Sequence, residues 1–321
     1  MSLFHAIHNE NLEEVKRIIA QNAQDVSQQE QEHGDELTYL DCAIAYGNLE
    51  IARFFFEKGW RPNLKAYGNG VSTPIHRTVS EGNIATLKWV FAENILPLHV
   101  LKEVKCEGDM TLLDEAIASG NLEIVKFLWE KDVHPNSKLY RDRRKTPVHW
   151  AVEYGFTDTL EWVFAENILP LRVLNIGDRD EWTLLDFAIA YGKLRTIQYL
   201  WGEGVQPNLE VYRDEKFTPV HMAVYTMRPP RRLQWVFAEN ILPLRVLNVR
   251  VGRWTPLDIA INKSSEATAI LRRILIDPVF LAMQRAKRDH CQCCVMRRLP
   301  NELLDMVVDE VAARYQLKVV W

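Results

Sequence analysis

Long apolar runs and widely spread cysteines are both missing from this sequence. No segment approaches the ~20 apolar residues that cross a bilayer, and Met1–Val15 lacks the basic and apolar regions of a signal peptide. Of the five cysteines, Cys291, Cys293 and Cys294 lie close together, which is not the spacing of a disulfide framework. We therefore expect a protein of a reducing compartment, the cytosol or the nucleus, that does not span a membrane.

A strong charge of one sign and the common catalytic motifs are also missing. The formal net charge is −4 at pH 7, which argues against general binding to nucleic acid or anionic membranes, because phosphate binding needs a clustered basic surface. None of the patterns G-x-x-x-x-G-K-[ST], G-x-G-x-x-G, H-E-x-x-H or G-x-S-x-G occurs. We therefore predict that the protein is not an enzyme and has no catalytic residues, cofactor or metal.

What the sequence does contain is a repeated unit in two alternating versions. One version begins Thr-Pro-[Ile/Val]-His at Thr73, Thr146 and Thr218, and the block AENILPL follows it at Ala92, Ala165 and Ala238. The other version begins Thr-x-Leu-Asp at Thr38, Thr111, Thr183 and Thr255. Consecutive anchoring threonines lie 35 to 38 residues apart. A fixed period in this range predicts a solenoid of stacked supersecondary units.

Each unit reads as two helices joined by a tight turn. In the unit that begins at Thr111, the threonine is placed to cap a first helix. Gly120 ends this helix where a positive φ is needed, and Leu122–Trp129 forms a second, more apolar helix. Pro135 and Asn136 then end the second helix. Such a unit cannot cover its apolar faces alone, so stacking must remove them from water.

The Thr-Pro-[Ile/Val]-His segments resemble the ankyrin signature T-P-L-H-x-A, and Asn121–Asn136 is similar to an ankyrin outer helix with its closing asparagine. The resemblance implies an all-α ankyrin-repeat solenoid of about eight helix–turn–helix units whose inner helices and turns bind other proteins. There are departures from the pattern. Asp41, Asp114, Asp186 and Asp258 replace the histidine in alternate units. Leu-Pro-Leu replaces the usual glycine-rich hairpin, and Met227–Pro230 replaces an inter-helix glycine.

The predicted domain organisation follows this period. Residues 1–277 form the repeat array, in which 1–36 is an N-terminal cap whose part from Gln21 to Glu36 reads as a polar loop. The repeats begin near residues 37, 72, 110, 145, 182, 217 and 254. Residues 278–321 form a short C-terminal helical tail.

The ankyrin resemblance also indicates where partner contacts fall, namely just before each anchoring threonine and just before each inter-helix glycine. The candidate partner-binding residues there and in the turns are Tyr46, Glu81, Tyr140, Arg141, Glu153, Tyr154, Trp182, Tyr191, Phe217 and Trp254. For Trp182, Phe217 and Trp254 the alternative is packing against the turn of the next unit. The basic turn from Tyr140 to Lys145 is either a solvated loop or a partner or nuclear-import contact.

The recurring polar residues of the repeats are predicted to be structural. His76, His149 and His221 occupy one register, where the ankyrin resemblance implies a local hydrogen-bond network and not a general base. Asp114 and Asp186 read as carboxylates at helix starts. In the tail, His290 and the three cysteines near it lack a second ligand pair for zinc, so we expect structural or exposed thiols.

The tail carries one motif that the repeats do not explain. The segment LPNELLDMVVDEV, within 297–315, resembles the opening of an F-box, L-P-x-E-[LIV]-x-x-x-[IV]. By that resemblance a Skp-type adaptor of a cullin–RING (SCF) ubiquitin ligase would contact Leu299, Pro300, Glu302, Leu303, Val307 and Val311. An ankyrin array with such a tail is similar to the poxvirus-type ankyrin proteins with a PRANC tail. The alternative is that the segment caps the last repeat.

Two functional hypotheses follow from the sequence. In the first, the protein is an adaptor that binds a target protein through its repeats and a ubiquitin ligase through its tail, acting as a pathogen or viral protein inside a host cell. In the second, it is an ankyrin scaffold or inhibitor that binds a partner and has no link to a ubiquitin ligase.

Overall fold

The computed structural model of the protein describes residues 2–21, 29–32, 35–67, 73–106, 108–140, 145–175, 177–178, 181–213, 215–226, 231–263 and 266–274. The chain divides into two compact units. The first holds the residues up to Leu184 together with Arg195–Val205. The second holds Leu185–Leu194 together with the described residues from Gln206 onward.

Short helices make up almost all of the regular structure in the described part of the chain. The helices of the N-terminal half are α1 (Leu3–His8), α2 (Leu12–Gln21), α3 (Tyr39–Ala45), α4 (Leu49–Glu57), α5 (Pro74–Ser80), α6 (Ile84–Ala92), α7 (Leu98–Glu103), α8 (Leu112–Ser119) and α9 (Leu122–Glu130). Those that follow are α10 (Pro147–Tyr154), α11 (Thr157–Ala165), α12 (Leu184–Ala190), α13 (Leu194–Gly202), α14 (Pro219–Tyr225), α15 (Arg231–Ala238), α16 (Pro256–Lys263) and α17 (266–274). Short 3-10 helices occupy turns at Leu64–Tyr67, Leu171–Asn175, Leu209–Val211 and Leu244–Asn248.

The first helix of each repeat, called the inner helix below, begins as the threonine pattern predicts. Thr38 and Thr111 have extended backbones, and their hydroxyls accept hydrogen bonds from the backbone N–H three residues later. In α5, α10 and α14 a proline follows the threonine at the first helical position, where its missing N–H costs no hydrogen bond. Sequence and local structure therefore agree at these helix starts.

Inner helices of the first unit are buried between their neighbours. α8 packs against α9 of its own repeat and also against α5 and α10 of the adjacent repeats. Leu112, Leu113, Ala116 and Ile117 of α8 are consequently shielded from solvent completely. Burying side chains of this size contributes about 1.5–3 kcal/mol for each leucine or isoleucine. Stacking therefore removes from water the faces that one helix pair leaves open.

The turn between two helices of a repeat receives a side chain from the next repeat. Gly120 ends α8 with φ of 74°, and a Cβ atom at this position would overlap with the ring of Phe156. In the preceding turns, the Asn83 side-chain amide donates to the Tyr46 carbonyl, and Asn121 donates to the Val79 carbonyl at 2.7 Å. The glycine is thus needed for the backbone conformation and for the close approach of the next repeat.

One segment of the cap differs from the sequence prediction. Gln21–Glu36 was predicted as a polar loop, but β1 (Gln29–Glu32) pairs antiparallel with β2 (Asp35–Thr38), with Gln29 opposite Thr38. Strand pairing depends on backbone hydrogen bonds, which polar side chains do not prevent. β2 leads directly into the Thr38 cap of α3, so this strand pair immediately precedes the first repeat.

The second unit contains its own stacked inner helices. α14 packs against α16, and Val220, Ala223 and Ala260 between them are buried. Arg232 of α15 is only 6% exposed, and its guanidinium donates to the carbonyls of Ile189 and Ala190 at 2.8 Å. These carbonyls end α12, where the partial negative charge of a helix C-terminus favours a cation.

A candidate protein-interaction surface

The aspartates of the Thr-x-Leu-Asp repeats are at the centre of a buried hydrogen-bond cluster. Asp114 Oδ2 accepts hydrogen bonds from the Thr111 N–H at 3.0 Å, the Thr111 hydroxyl at 2.9 Å and the Asn136 N–H at 2.8 Å. The Tyr140 hydroxyl donates to Asp114 Oδ1 at 2.7 Å. Burial raises the pKa of the Asp114 carboxyl, and the hydrogen bonds oppose this shift. The cluster closes the turn after the outer helix onto the start of the inner helix.

The same cluster recurs at fixed spacing in two other repeats. Asp41 binds the Asn63 N–H and the Tyr67 hydroxyl. In the second unit, Asp186 binds the Asn208 N–H and the Tyr212 hydroxyl. Each tyrosine is buried, and burial together with the nearby carboxylate raises the pKa of its phenol well above the usual value. The prediction that the aspartates sit at helix starts is therefore confirmed, and the tyrosines are an unpredicted part of the arrangement.

Tyr140 was predicted to contact a partner, and this prediction is wrong. Its side chain is 5% exposed and its hydroxyl is committed to Asp114. Lys145, at the far end of the predicted basic turn, pairs with Glu153 and lies 3.5 Å from the centre of the Trp150 ring. Arg141 lies outside the described residues. A turn in the sequence fixes where the chain reverses, but not whether a given side chain points outward.

The signature histidines are buried and hold helix starts, as predicted. His76 Nδ1 lies 2.8 Å from the Thr73 hydroxyl, and its Nε2 lies 3.2 Å from the Met110 carbonyl. Burial lowers the pKa of His76 to about 4, which a hydrogen bond with the Met110 backbone partly opposes. His149 and His221 make the equivalent contact with Thr146 and Thr218, each at 2.8 Å. These buried imidazoles therefore stabilise the starts of the inner helices.

Tyr154 is the most exposed of the predicted aromatic contact residues in the first unit. It is 49% exposed, its ring is stacked on Trp150 with 6.3 Å between centroids, and its other neighbour is Phe156 at 5.8 Å. Glu153 beside it is half-buried by its ion pair with Lys145. This side of α10 therefore presents an aromatic surface with one end open to solvent.

The other predicted residues differ in accessibility. Tyr46 is half-buried, since its ring contacts Phe4 and His8 of the cap and Arg77 of the next repeat, at 5.9, 4.9 and 4.4 Å. Glu81 is exposed at the end of α5. Trp182 and Tyr191 are half-buried. In the second unit, Phe217 and Trp254 are 37% and 39% exposed.

Phe217 and Trp254 line one apolar pocket in the second unit. The pocket has a volume of about 270 Å³, and almost all of its lining is apolar. Its lining residues are Phe217, Tyr225, Val251, Trp254, Ile259, Asn262 and Lys263. Phe217 and Tyr225 meet edge to face with 6.1 Å between ring centroids. Three large aromatic side chains thus remain partly open to solvent around one cavity.

Tyr225 was not predicted as a contact residue. It is 49% exposed and ends α14. The prediction located such positions by counting back from the inter-helix glycine, which this repeat replaces by Met227–Pro230. Counting forward from Thr218 places Tyr225 at the position that Glu153 occupies after Thr146. In this repeat, counting from the anchoring threonine therefore locates the exposed end of the inner helix, whereas counting from the inter-helix glycine does not.

Some predictions lie outside the described residues, namely the F-box-like segment 299–311 and the cluster from His290 to Cys294. Within the part of the chain that the structure describes, no helix is long and apolar enough to cross a membrane. No group of three or more histidine, cysteine or acidic side chains among those residues is arranged to hold a metal ion.

Comparison with known proteins supports the fold assignment. Residues 40–91 match the family model described as "Ankyrin repeats (many copies)". The helix pairs and threonine caps of that region recur in the later repeats. The prediction of an all-α ankyrin-repeat solenoid is therefore confirmed.

Similar proteins were found in quite different settings. The chain is 24% identical over 214 residues to alpha-latrotoxin-Lg1a of Latrodectus geometricus, covering 56% of this chain and 15% of the toxin. It is 24% identical over 210 residues to transient receptor potential cation channel subfamily A member 1 of Homo sapiens, covering 64% of this chain and 18% of the channel. The chain thus spans less than a fifth of the length of these relatives.

Among solved structures, the human ASB11 ankyrin repeat domain is similar at 18% identity, with a TM-score of 0.45. The match covers 85% of this chain and 97% of that domain. Independently of this match, ankyrin repeats such as those of residues 40–91 typically act in protein–protein interaction.

Proposed function

We propose that this chain is an adaptor that joins a target protein to a ubiquitin ligase. Its repeats bind the target, and the segment Leu299–Val311 binds a Skp-type adaptor of a cullin–RING (SCF) ligase. The ligase, and not this chain, transfers ubiquitin. The protein works in the cytosol or nucleus, which for a pathogen protein means inside the host cell.

The observation that carries the target-binding half is the aromatic pocket of the second unit. Phe217, Tyr225 and Trp254 are each more than a third exposed, although covering such side chains is favourable. Interface residues that dominate binding energy are enriched in tryptophan and tyrosine and lie in well-packed pockets. A partner that covers these rings would remove apolar surface from water that the fold itself leaves exposed.

The ligase half is supported by the sequence of the tail. Leu299, Pro300, Glu302 and Leu303 match the start of the F-box pattern. Leu303, Val307 and Val311 recur at helical spacing and would form one apolar stripe. An amphipathic helix binds in a partner's hydrophobic groove through such a stripe. The acidic residues between them suit the solvent side of such a helix.

A pull-down of the purified chain with a purified Skp-type adaptor tests the ligase half. We expect the unmutated chain to bind, and Leu303→Asp or Val307→Asp to abolish binding, because a carboxylate would replace an apolar contact. Leu98→Asp is the matched control, since Leu98 is 50% exposed in the first unit and should leave binding unchanged. No binding by the unmutated chain rejects the ligase link.

The second candidate function is a scaffold or inhibitor that occludes a partner's surface. It is favoured by the fact that the aromatic pocket requires nothing from the F-box-like motif to bind a protein. Under this hypothesis the tail caps the last repeat. Leu303→Asp would then lower the melting temperature without changing any Skp interaction. Under the adaptor hypothesis, Leu303→Asp abolishes Skp binding and leaves the melting temperature unchanged.

A further inference from the structure

The pocket formed by Phe217, Tyr225 and Trp254 is held in place by the fold on two sides. Phe217 also contacts the buried His221 ring, 5.4 Å away. Trp254 lies on a tight turn in which the Val251 N–H donates to the Trp254 carbonyl at 2.9 Å and the Trp254 N–H donates back at 3.1 Å. Rings positioned before a partner arrives lose little conformational freedom on binding. The pocket is therefore preorganised.

Two cations lie against aromatic rings of this pocket. The Lys263 ammonium lies 3.4 Å from the centre of the Tyr225 ring, and the Arg253 guanidinium lies 5.0 Å from that of Trp254. The lining includes no carboxylate. Within the described part of the chain, no carboxylate lies at ion-pair distance from either cation. Asp258, which lies between the two cations in sequence, instead accepts hydrogen bonds from the N–H and hydroxyl of Thr255.

From this combination we propose that the pocket binds a partner segment in which one large apolar or aromatic side chain is flanked by aspartates or glutamates. The side chain would enter the cavity, and the carboxylates would pair with Lys263 and Arg253. This rests on the target-binding half of the proposed function and does not depend on the ligase link.

The size of the cavity fits a single anchoring side chain. Its volume of about 270 Å³ is below the ~300–1,000 Å³ of pockets that enclose drug-sized ligands. A leucine, phenylalanine or tryptophan side chain would bury its apolar surface against the three rings. The pocket therefore suits one residue of a peptide better than a free small molecule.

The charges decide between an acidic and a basic partner. Aromatic rings by themselves attract cations, but Lys263 and Arg253 already lie against two of the three. A further ammonium group would meet like charges with no carboxylate in the lining to offset them. The same charge argument does not separate a partner from the chain's own segment Leu299–Val311, which carries four acidic and no basic side chains; the cross-linking experiment below distinguishes these two occupants.

Short fluorescein-labelled peptides test the proposal with the full chain. The peptides carry tryptophan, leucine or alanine at the centre, and glutamate, glutamine or lysine at every flanking position. By fluorescence anisotropy we expect tight binding only for glutamate flanks around tryptophan or leucine. Affinity should fall as salt is raised, since the ion pairs lie at the surface. Equal or tighter binding of the lysine peptides, or no binding of any peptide, overturns the proposal.

Variants locate the binding. Trp254→Ala should weaken the tryptophan–glutamate peptide by at least about tenfold, and Lys263→Gln should weaken it and reduce its salt dependence. Leu171→Ala and Lys131→Gln are the matched controls. Leu171 is an exposed apolar residue of the first unit, and the Lys131 ammonium lies 5.7 Å from the Phe127 ring centre. Equal losses in these controls would show that the peptide binds elsewhere, against the proposal.

A photo-crosslinking residue in place of Phe217 distinguishes the occupants. Cross-links to the glutamate peptide are expected. Cross-links within the chain to residues 278–321, or between two copies of the chain, would assign the pocket to another occupant and overturn the proposal. Peptide binding without Skp binding would reject only the ligase link, and Skp binding without peptide binding would reject only the pocket inference.

Discussion

The Tyr140 hydroxyl lies 2.7 Å from Asp114 Oδ1 and donates a hydrogen bond to this carboxylate inside the first unit. The two residues are 26 positions apart, at the end and the beginning of one repeat. Burial alone would penalise the charge on Asp114. The Tyr140 hydroxyl and the Asn136 backbone N–H replace hydrogen bonds that the Asp114 carboxylate would make to water. These contacts hold the turn against the inner helix of its own repeat.

Replacing Tyr140 tests this relationship. Tyr140→Phe removes the hydroxyl but keeps the ring, so we expect the free energy of unfolding to fall by about 1.5–3 kcal/mol, the range for hydrogen bonds to charged groups. Urea denaturation measures the loss. Tyr154→Phe is the control, because Tyr154 is 49% exposed and should change the midpoint little. An equal effect in both variants would contradict a special role for the Asp114 contact.

The pH dependence of stability should reflect His76. Burial lowers the pKa of the folded-state imidazole to about 4, from 6.5, so the unfolded chain binds the proton more readily between these values. The contribution of neutral His76 to the free energy of unfolding is therefore fully present above pH 6.5 and is lost as the pH falls towards 4. Over this range the contribution changes by about 3 kcal/mol.

The variant His76→Gln should flatten the fall in stability between pH 6.5 and 4, measured by urea unfolding at several pH values. Because other groups titrate in this range, the comparison is between slopes and not between absolute stabilities. His99 is exposed, and His99→Gln supplies the matched control, which should keep the slope of the unmutated chain. A slope unchanged by His76→Gln would show that another group causes the acid sensitivity.

Gly120 offers a separate test of how repeats stack. Gly120→Ala places a Cβ atom on a residue with φ of 74° and against the Phe156 ring. We expect the free energy of unfolding to fall by about 3 kcal/mol, from backbone strain and steric overlap together. Gly59→Ala is the control: its φ is also positive, at 90°, but no atom lies within 4 Å of the new Cβ. It should cost only about 1 kcal/mol, and equal losses would contradict the packing argument.

Much of the fold could be predicted from the sequence because the threonine anchors combine a local cap with a long-range period. Thr73, Thr111 and Thr146 begin helices in the structure as the pattern requires. Side-chain direction was harder to predict. Tyr140 is in a turn yet buried, because its partner Asp114 is distant in sequence and only the folded turn brings them together.

Only part of the candidate site could be predicted from the sequence, because some of its contacts join different repeats. Phe217 and Trp254 precede anchoring threonines and could be located by register, whereas Tyr225 stands in a repeat that lacks its glycine. Nor could spacing alone show that Lys263 lies against the Tyr225 ring, since this contact joins two different inner helices. Contacts between repeats depend on packing, which one repeat's sequence does not contain.

The buried arginine of the second unit gives the last prediction. Arg232 donates to the carbonyls of Ile189 and Ala190 at 2.8 Å, and Arg232→Met would leave these acceptors without the guanidinium while keeping a side chain of similar length. We expect a loss of about 2–4 kcal/mol in the free energy of unfolding, since removing one partner leaves buried polar groups unsatisfied. Arg232→Lys keeps the charge but not the planar group of donors, so it should recover only part of the loss. Arg245→Met is the control, because Arg245 is exposed. If Arg232→Met were as stable as Arg245→Met, the guanidinium would not be what stabilises the end of α12.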